Sequence, residues 1–337
     1  MTDGARFDVF GMCNALYDIQ AEVHDEVLAE LGLEKGAMML LEEAQQREIV
    51  PRIYTHIVNT ESGGSGANTM FGVALLGGTA CYTSAVGPDE HGALYRDGLA
   101  SKGVKPNLGT ADGVTGVSLI LVTPDAQRTM CTFLGRSREL TEADLDLTDL
   151  RASKYLYVTS YLWDTPNQKA AVLRAMREAN ASGVKVALSL SDPFCVHRHG
   201  DELRQLLQEH VDVILGNGQE AMALTGAGHP YDALRELSRH AEVAVVTLDE
   251  HGALIRRGDT THEIPRYRVT AVDTTGAGDM FAAGILFGLT QGLPLDVTGR
   301  ISSYAAAQVV AKMGPRLECI DTDAISRLKC GASLHEV

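Results

Sequence analysis

This sequence lacks the features that mark a chain for membranes, nucleic acid or an oxidising compartment. No apolar run approaches the length needed to span a bilayer. The N-terminus, Met1-Thr2-Asp3-Gly4, has neither the basic nor the apolar region of a signal peptide. Six cysteines, Cys13, Cys81, Cys131, Cys195, Cys319 and Cys330, are scattered without the paired spacing of a metal site, as expected of reduced thiols in a cytosolic protein. There is no Lys/Arg-rich block, and 29 basic residues against 44 acidic ones leave a net charge of −15. Nucleic-acid binding requires a basic face, so neither a nucleic-acid nor a membrane partner is expected, and the expected location is cytoplasmic. The acidity does not exclude phosphate ligands, because backbone N–H groups and a divalent cation supply a positive field locally.

What the chain does have is length and apolar content: 337 residues, 45% of them apolar, support one large α/β domain with or without a small accessory unit. From residue 154 onward strands (155–159, 184–190, 211–215, 244–248) alternate with helices (167–181, near 199–209, 218–225 and 231–240). That alternation predicts a parallel sheet covered on both faces. Before it, residues 7–13 read as a buried strand, with Asn14 and Asp18 on the loop leaving it. Residues 19–60 mix strand-like pieces (18–23, 38–41, 55–59) with polar helices near 25–31 and 42–52, the pattern of a small added sheet or lid. Further strands are expected at 81–86, 117–122 and 128–133, with a helix at 90–101. Two helices, 277–290 and 295–313, close the pattern. The second has small residues over 304–310 that admit a flat ring or a neighbouring helix.

Five polar clusters punctuate this framework. Asp273-Thr274-Thr275-Gly276-Ala277-Gly278-Asp279 turns into an apolar helix. Its glycines allow a tight turn that gathers N–H groups at a helix N-terminus, where unsatisfied donors and the helix dipole favour an anion. Asp279, in the first turns, either caps the helix or takes a proton from a group beside the anion. Gly63-Gly64-Ser65-Gly66-Ala67-Asn68 precedes another helix and permits hinge motion and close ligand approach. A dinucleotide reading of Gly64-x-Gly66-x-x-Thr69 lacks its third glycine. Asn217 and Glu220 follow a strand and share a helical face. They form either a capping pair or a contact to a metal-bound water or phosphate. Thr247 and Gly252 close another strand, and Asn14 and Asp18 complete the set. In a parallel sheet such strand ends line one edge and face one crevice.

In this order the clusters resemble the ribokinase-like (PfkB) carbohydrate and nucleoside kinase family, along nearly the whole chain. Asp273 to Asp279 is similar to the family's DTxGAGD signature without departure. Asn217-x-x-Glu220 resembles its NxxE motif, and Gly63-Gly64 its diglycine hinge. Gly11-x-x-Asn14-x-x-x-Asp18, Asn68, 161–164 and 189–194 are similar to the bacterial adenosine-kinase-like branch. The resemblance implies a ribokinase-like fold: a central, mostly parallel sheet with helices on both faces, in one domain over 1–337. A small β-sheet lid would come from segments 15–60 and 112–135. It also implies ATP-dependent phosphorylation of a nucleoside 5′-hydroxyl, adenosine to AMP first, as in purine salvage. Asp279 would be the general base and Gly276, Ala277 and Gly278 an anion hole. Asn14, Asp18, Gly63, Gly64, Ser65 and Asn68 would form the acceptor site. Asn217, Glu220, Thr247, Gly252, Gly276 and Gly278 would border ATP, with Glu220 holding Mg²⁺ through water. The resemblance also allows a monovalent cation, K⁺, and a monomer or homodimer. The alternatives are a sugar or sugar-acid kinase, an inosine or guanosine kinase, and a non-catalytic nucleotide-binding protein. Two positions depart from the family pattern: Asp249, where glycine is usual, and Arg136, where a small residue is common.

Overall fold

A computed structural model describes residues 6–110, 112–125 and 127–332, so the N-terminal stretch Met1 to Gly4 lies outside the described residues. In chain order the strands are β1 (Phe7–Met12), β2 (Leu16–Glu22), β3 (Met38–Leu40), β4 (Ile57–Gly63), β5 (Ala80–Val86), β6 (Val104–Thr110) and β7 (Gly116–Val122). They continue with β8 (Arg128–Phe133), β9 (Ser153–Thr159), β10 (Lys185–Ser189), β11 (Val213–Asn217), β12 (Val243–Thr247), β13 (Ala253–Arg257) and β14 (Thr260–Ile264). Among the described residues, nine form one sheet in the order β14-β13-β12-β11-β10-β9-β1-β5-β6, parallel from β12 to β6. Strands such as Phe7–Met12 and Ala80–Val86 are buried along their whole length, because helices cover both faces of a parallel sheet. The other five strands form a small sheet, β3-β8-β7-β2-β4, drawn from 16–63 and 116–133.

Several boundaries differ from the sequence reading. Asp18, expected where the loop after β1 meets a strand piece over 18–23, sits inside β2, which begins two residues earlier at Leu16, and pairs with Glu61 of β4 and Ser118 of β7. The strand expected at 55–59 begins at Ile57 and runs on through Gly63, so Gly63 ends a strand and Gly64 caps the next helix. The helix expected near 199–209 starts at Pro193, with Asp192 capping it through the Cys195 N–H. The helix expected over 295–313 stops at Val310. Edge strand β6, the antiparallel hairpin β13–β14 and the helix Thr322–Lys329 carried no clear sequence signal.

The small residues of helix Leu295–Val310 serve packing. Gly284 and Gly288 of helix Ala277–Thr290 lie so close to Ser302 and Thr298 that an added Cβ would come within 2.6 and 2.4 Å of them. That contact anchors the helix whose first turn carries Asp279. Among the described residues all six cysteines are free, and no helix is long and apolar enough to cross a membrane.

Candidate active site

The loop before helix Ala277–Thr290 is organised by its first aspartate. Asp273 accepts from the Thr275 N–H at 3.0 Å and the Gly314 N–H at 2.7 Å, and it pairs with the guanidinium of Arg128. Arg128 belongs to β8 of the small sheet, so this ion pair ties that sheet to the loop; a second bond runs from Arg128 Nη1 to Thr275 Oγ1 at 2.5 Å. Both partners are largely buried, and truncating one strands the charge of the other. Asp273→Ala is therefore expected to destabilise the protein by about 3–5 kcal/mol, read as a lower midpoint in urea.

The loop's two glycines have different jobs. Gly276 caps the helix at φ +78°, and a Cβ there would meet the Pro315 carbonyl oxygen at 2.2 Å. A Cβ on Gly278 meets nothing within 4 Å, because that side faces open space. The Ala277 N–H is turned back on the Thr274 carbonyl at 3.2 Å. Gly276→Ala is expected to lower the melting temperature, whereas Gly278→Ala leaves it nearly unchanged and weakens phosphate binding by filling the cradle. Thermal melts and titration with an ATP analogue separate the two.

Asp279 stands at the meeting point of three segments. Its Oδ1 accepts from Ser65 Oγ at 2.6 Å and its Oδ2 from Asn68 Nδ2 at 3.0 Å, both from the first turn of helix Ser65–Leu75. Desolvation raises its pKa above the ordinary carboxylate value, against the lowering effect of Ser65, Asn68 and Arg316. These bonds are tertiary, and among the described residues Asp279 makes no capping bond to its own helix, so the capping alternative does not hold. Asn68 is spanned between two partners, since its Oδ1 accepts from Arg316 Nε at 2.7 Å.

Asp18 is nearly buried, 8% exposed, yet its carboxylate accepts no hydrogen bond from the described residues. It lies flat on Gly63, where a Cβ would sit 2.0 Å from Oδ2, so only glycine is accommodated there. Gly64, at φ +89°, likewise lets the chain press against the Asn14 carbonyl, 2.6 Å from the position of a Cβ. Desolvation, with smaller contributions from Glu61 and Asp279, pushes the Asp18 pKa up to about 7; Arg316 acts the other way. Asn14 Oδ1 accepts from Gln168 Nε2 at 2.8 Å, and that nitrogen also donates to the Ser137 carbonyl at 2.8 Å.

A second group sits farther along the same edge of the sheet. Asn217 ends β11 and caps helix Gly218–Thr225, and Glu220 completes the box: its Oε2 accepts from the Asn217 N–H at 2.9 Å and its Oε1 from Asn217 Nδ2 at 2.7 Å. The capping reading therefore holds for the free protein. Desolvation, together with the charges of Asp192 and Asp249, pushes the Glu220 pKa up to about 7. Those carboxylates make a negative field that a divalent cation relieves. Among the described residues no cluster of three ligating side chains forms a cage. The donor set thus fits Mg²⁺ that keeps its waters and is held mainly by phosphates. Thr247 is the register partner of Asn217. Gly252, at φ +89°, is demanded by packing, since a Cβ would strike the Ile264 carbonyl oxygen at 2.0 Å. Asp249 keeps a left-handed backbone, φ +49°, so the departure from glycine preserves the conformation that glycine favours.

The structure thus joins Asn14, Asp18, Gly63, Gly64, Ser65, Asn68 and Asp279 in one cluster. Asn217, Glu220 and Thr247 lie at the ends of β11 and β12. β11 is three strands from β1, roughly 14 Å away at the usual strand spacing. Arg136 is buried in the turn after β8, bonded to Glu139, and the same turn reaches the acceptor cluster through Ser137. Arg128, Gln168 and Arg316 were missed in the sequence. Only Arg128 and Arg316 carried a faint signal, as cations at a strand start and beside a helix-ending Gly-Pro. A cavity of about 560 Å³ opens beside Arg316 and is lined by Gln20, Asn59, Glu61 and Phe71; neither Asp18 nor Asp279 lines it.

Comparison with known proteins gives the family. A family model described as pfkB family carbohydrate kinase matches residues 37–323. The structure of adenosine kinase from Sinorhizobium meliloti is 37% identical, with a TM-score of 0.86 over 96% of this chain and 99% of that one. A probable sugar kinase from Rhizobium etli CFN 42 is 34% identical, with a TM-score of 0.87 over 97% and 99%. Adenosine kinase from Saccharomyces cerevisiae is 28% identical over 90% of this chain and 94% of its own length.

Proposed function

Because the chain belongs to the pfkB carbohydrate kinase family, and is therefore a phosphotransferase acting on a hydroxyl group, we propose that its acceptor is the 5′-hydroxyl of a nucleoside, adenosine first. The observation that carries this reading is Asp18: a nearly buried carboxylate with no protein donor among the described residues, set against Gly63 beside the Asp279 cluster. Two neighbouring hydroxyls of a ribose supply the donors it lacks. With Oδ1 of Asn14 taken by Gln168, its Nδ2 remains to donate to the acceptor.

Kinases of this family use ATP and Mg²⁺. ATP bound at the Asn217 end of the sheet edge would extend its phosphates toward Asp279. There the free N–H groups of Gly276 and Gly278 would stabilise charge on the transferring phosphoryl group, which needs positioning and electrostatics more than covalent help. Mg²⁺, held through water by Glu220 with Asn217 beside it, would neutralise phosphate charge. Asp279 would take the proton of the attacking hydroxyl as the new O–P bond forms. The small sheet would act as the lid that excludes water, a competing phosphoryl acceptor.

The second reading, a sugar acceptor, is favoured by the similarity to a probable sugar kinase. The test is a panel of adenosine, inosine, ribose and fructose, each assayed for ATP consumption. The nucleoside reading expects kcat/KM for adenosine at least about 100-fold above that for the free sugars, the worth of a well-filled base pocket. A preference for ribose or fructose overturns it.

A further inference from the structure

Arg316 follows the turn Gly314-Pro315 beyond the last core helix, and the chemistry above assigns it no role. Its guanidinium lies over the Phe71 ring at 4.1 Å and is 12% exposed. Nε donates to Asn68 Oδ1 at 2.7 Å, Nη1 donates to Glu61 Oε2 at 3.2 Å, and Nη2 is buried without a partner among the described residues. The bond to Asn68 has a directional consequence. A side-chain amide has one accepting end and one donating end. With its oxygen claimed by Arg316, Asn68 must present Nδ2 to Asp279, where it donates at 3.0 Å. Were the amide reversed, its oxygen would face a carboxylate and its NH₂ would face a guanidinium, two repulsive contacts at once.

The groups that bear on Asp279 are Ser65 and Asn68 on helix Ser65–Leu75, Asp18 on β2, Cys13 after β1, Tyr157 on β9, Tyr161 in the turn after it, and Arg316. Arg316 is the one cation among these. We propose that Arg316 is a positioning residue for the proton acceptor: by locking the Asn68 amide it holds Asp279 in the orientation that serves phosphoryl transfer. This rests on the reading of Asp279 as the base, and it adds to the family signature a residue that lies outside it.

The test is a double-mutant cycle on the full chain with adenosine and MgATP, read as kcat on the alkaline plateau of the wild-type pH profile. Arg316→Met keeps the cover on Phe71 and removes the donor; it is expected to lower kcat about 10- to 100-fold, the worth of a lost charged hydrogen bond, with acceptor KM moving less than about 3-fold. In an Asn68→Ala background the same change is expected to cost less than about 3-fold. Arg316→Lys retains charge but lacks the planar Nε donor, so on that plateau it is expected to match the Met variant. Its acid limb stays near wild type while that of Arg316→Met moves to higher pH. Equal losses in both backgrounds, or near-wild-type kcat in the Met and Lys variants, overturn the inference. An active Asp279→Asn enzyme overturns the underlying base assignment and this inference with it, whereas an inactive Asp279→Asn with an additive cycle overturns this inference alone.

Discussion

Asp279→Asn is expected to lower turnover by about 10²–10⁴-fold, the contribution of a positioned general base, while the fold persists. Asparagine can still accept from Ser65, but its NH₂ then faces the Nδ2 of Asn68, which Arg316 holds in place. That donor–donor contact costs stability, and removing a buried charge offsets part of it. Far-UV circular dichroism should be unchanged and the melting temperature should shift by only a few degrees. The base acts only when unprotonated, and desolvation raises its pKa above the ordinary carboxylate value. Turnover should therefore fall as pH drops through that raised value, placing the acid limb of the kcat profile above the range of an exposed aspartate. Phosphorylation by purified Asp279→Asn at near wild-type rate would remove the base assignment.

Asp18→Asn is expected to abolish acceptor binding and raise stability together. An asparagine oxygen accepts more weakly than a carboxylate, and charged hydrogen bonds contribute about 1.5–3 kcal/mol each, so losing their charge at two hydroxyls should weaken adenosine binding at least about 100-fold. Calorimetry should show this with binding of an ATP analogue unaltered. The stability effect follows from the Asp18 pKa, raised from 3.8 to about 7 in the folded protein. Between those values the folded chain binds more protons than the unfolded one, so the stability contribution falls as pH rises from about 4 to about 7 and stays lost above. Asparagine removes that loss. The variant should melt a few degrees higher than wild type at pH 8 and nearly level with it at pH 4. A binding residue maintained against stability has this signature. Unchanged adenosine affinity would show that the ribose hydroxyls lie elsewhere.

The sequence was most legible where the physics is local. Strands buried on both faces read as apolar runs, and the helices Glu90–Ser101 and Ala277–Thr290 carry their own end signals, so their limits emerged from the sequence. β6 did not: Val-Lys-Pro-Asn-Leu-Gly-Thr is a half-exposed edge strand with a proline, and an edge strand need not be apolar. The hairpin β13–β14 breaks the alternation of strand and helix at the opposite edge, so the α/β pattern did not extend to it. Asp18 read as the junction of a loop and a strand piece because its polar character suits a strand end; the pairing with β4 and β7 puts it inside the strand, over a glycine that leaves it room.

By itself, the sequence determined the α/β class, the family and the glycine turn into a helix at Gly276 to Gly278. These are properties of contiguous residues: apolar strand runs alternating with helical patterns, and a glycine where the backbone turns with φ > 0 into a helix. Only the tertiary structure decided which long side chains reach that turn and the polar cluster beside it. Arg128 reaches Thr275 across 147 residues, Gln168 reaches Asn14 across 154, and Arg316 reaches Asn68 across 248. A flexible cation or amide that finds its partner through the folded core leaves no periodicity and no spacing in the chain, so its role becomes visible only once sheet and helices have brought the ends together.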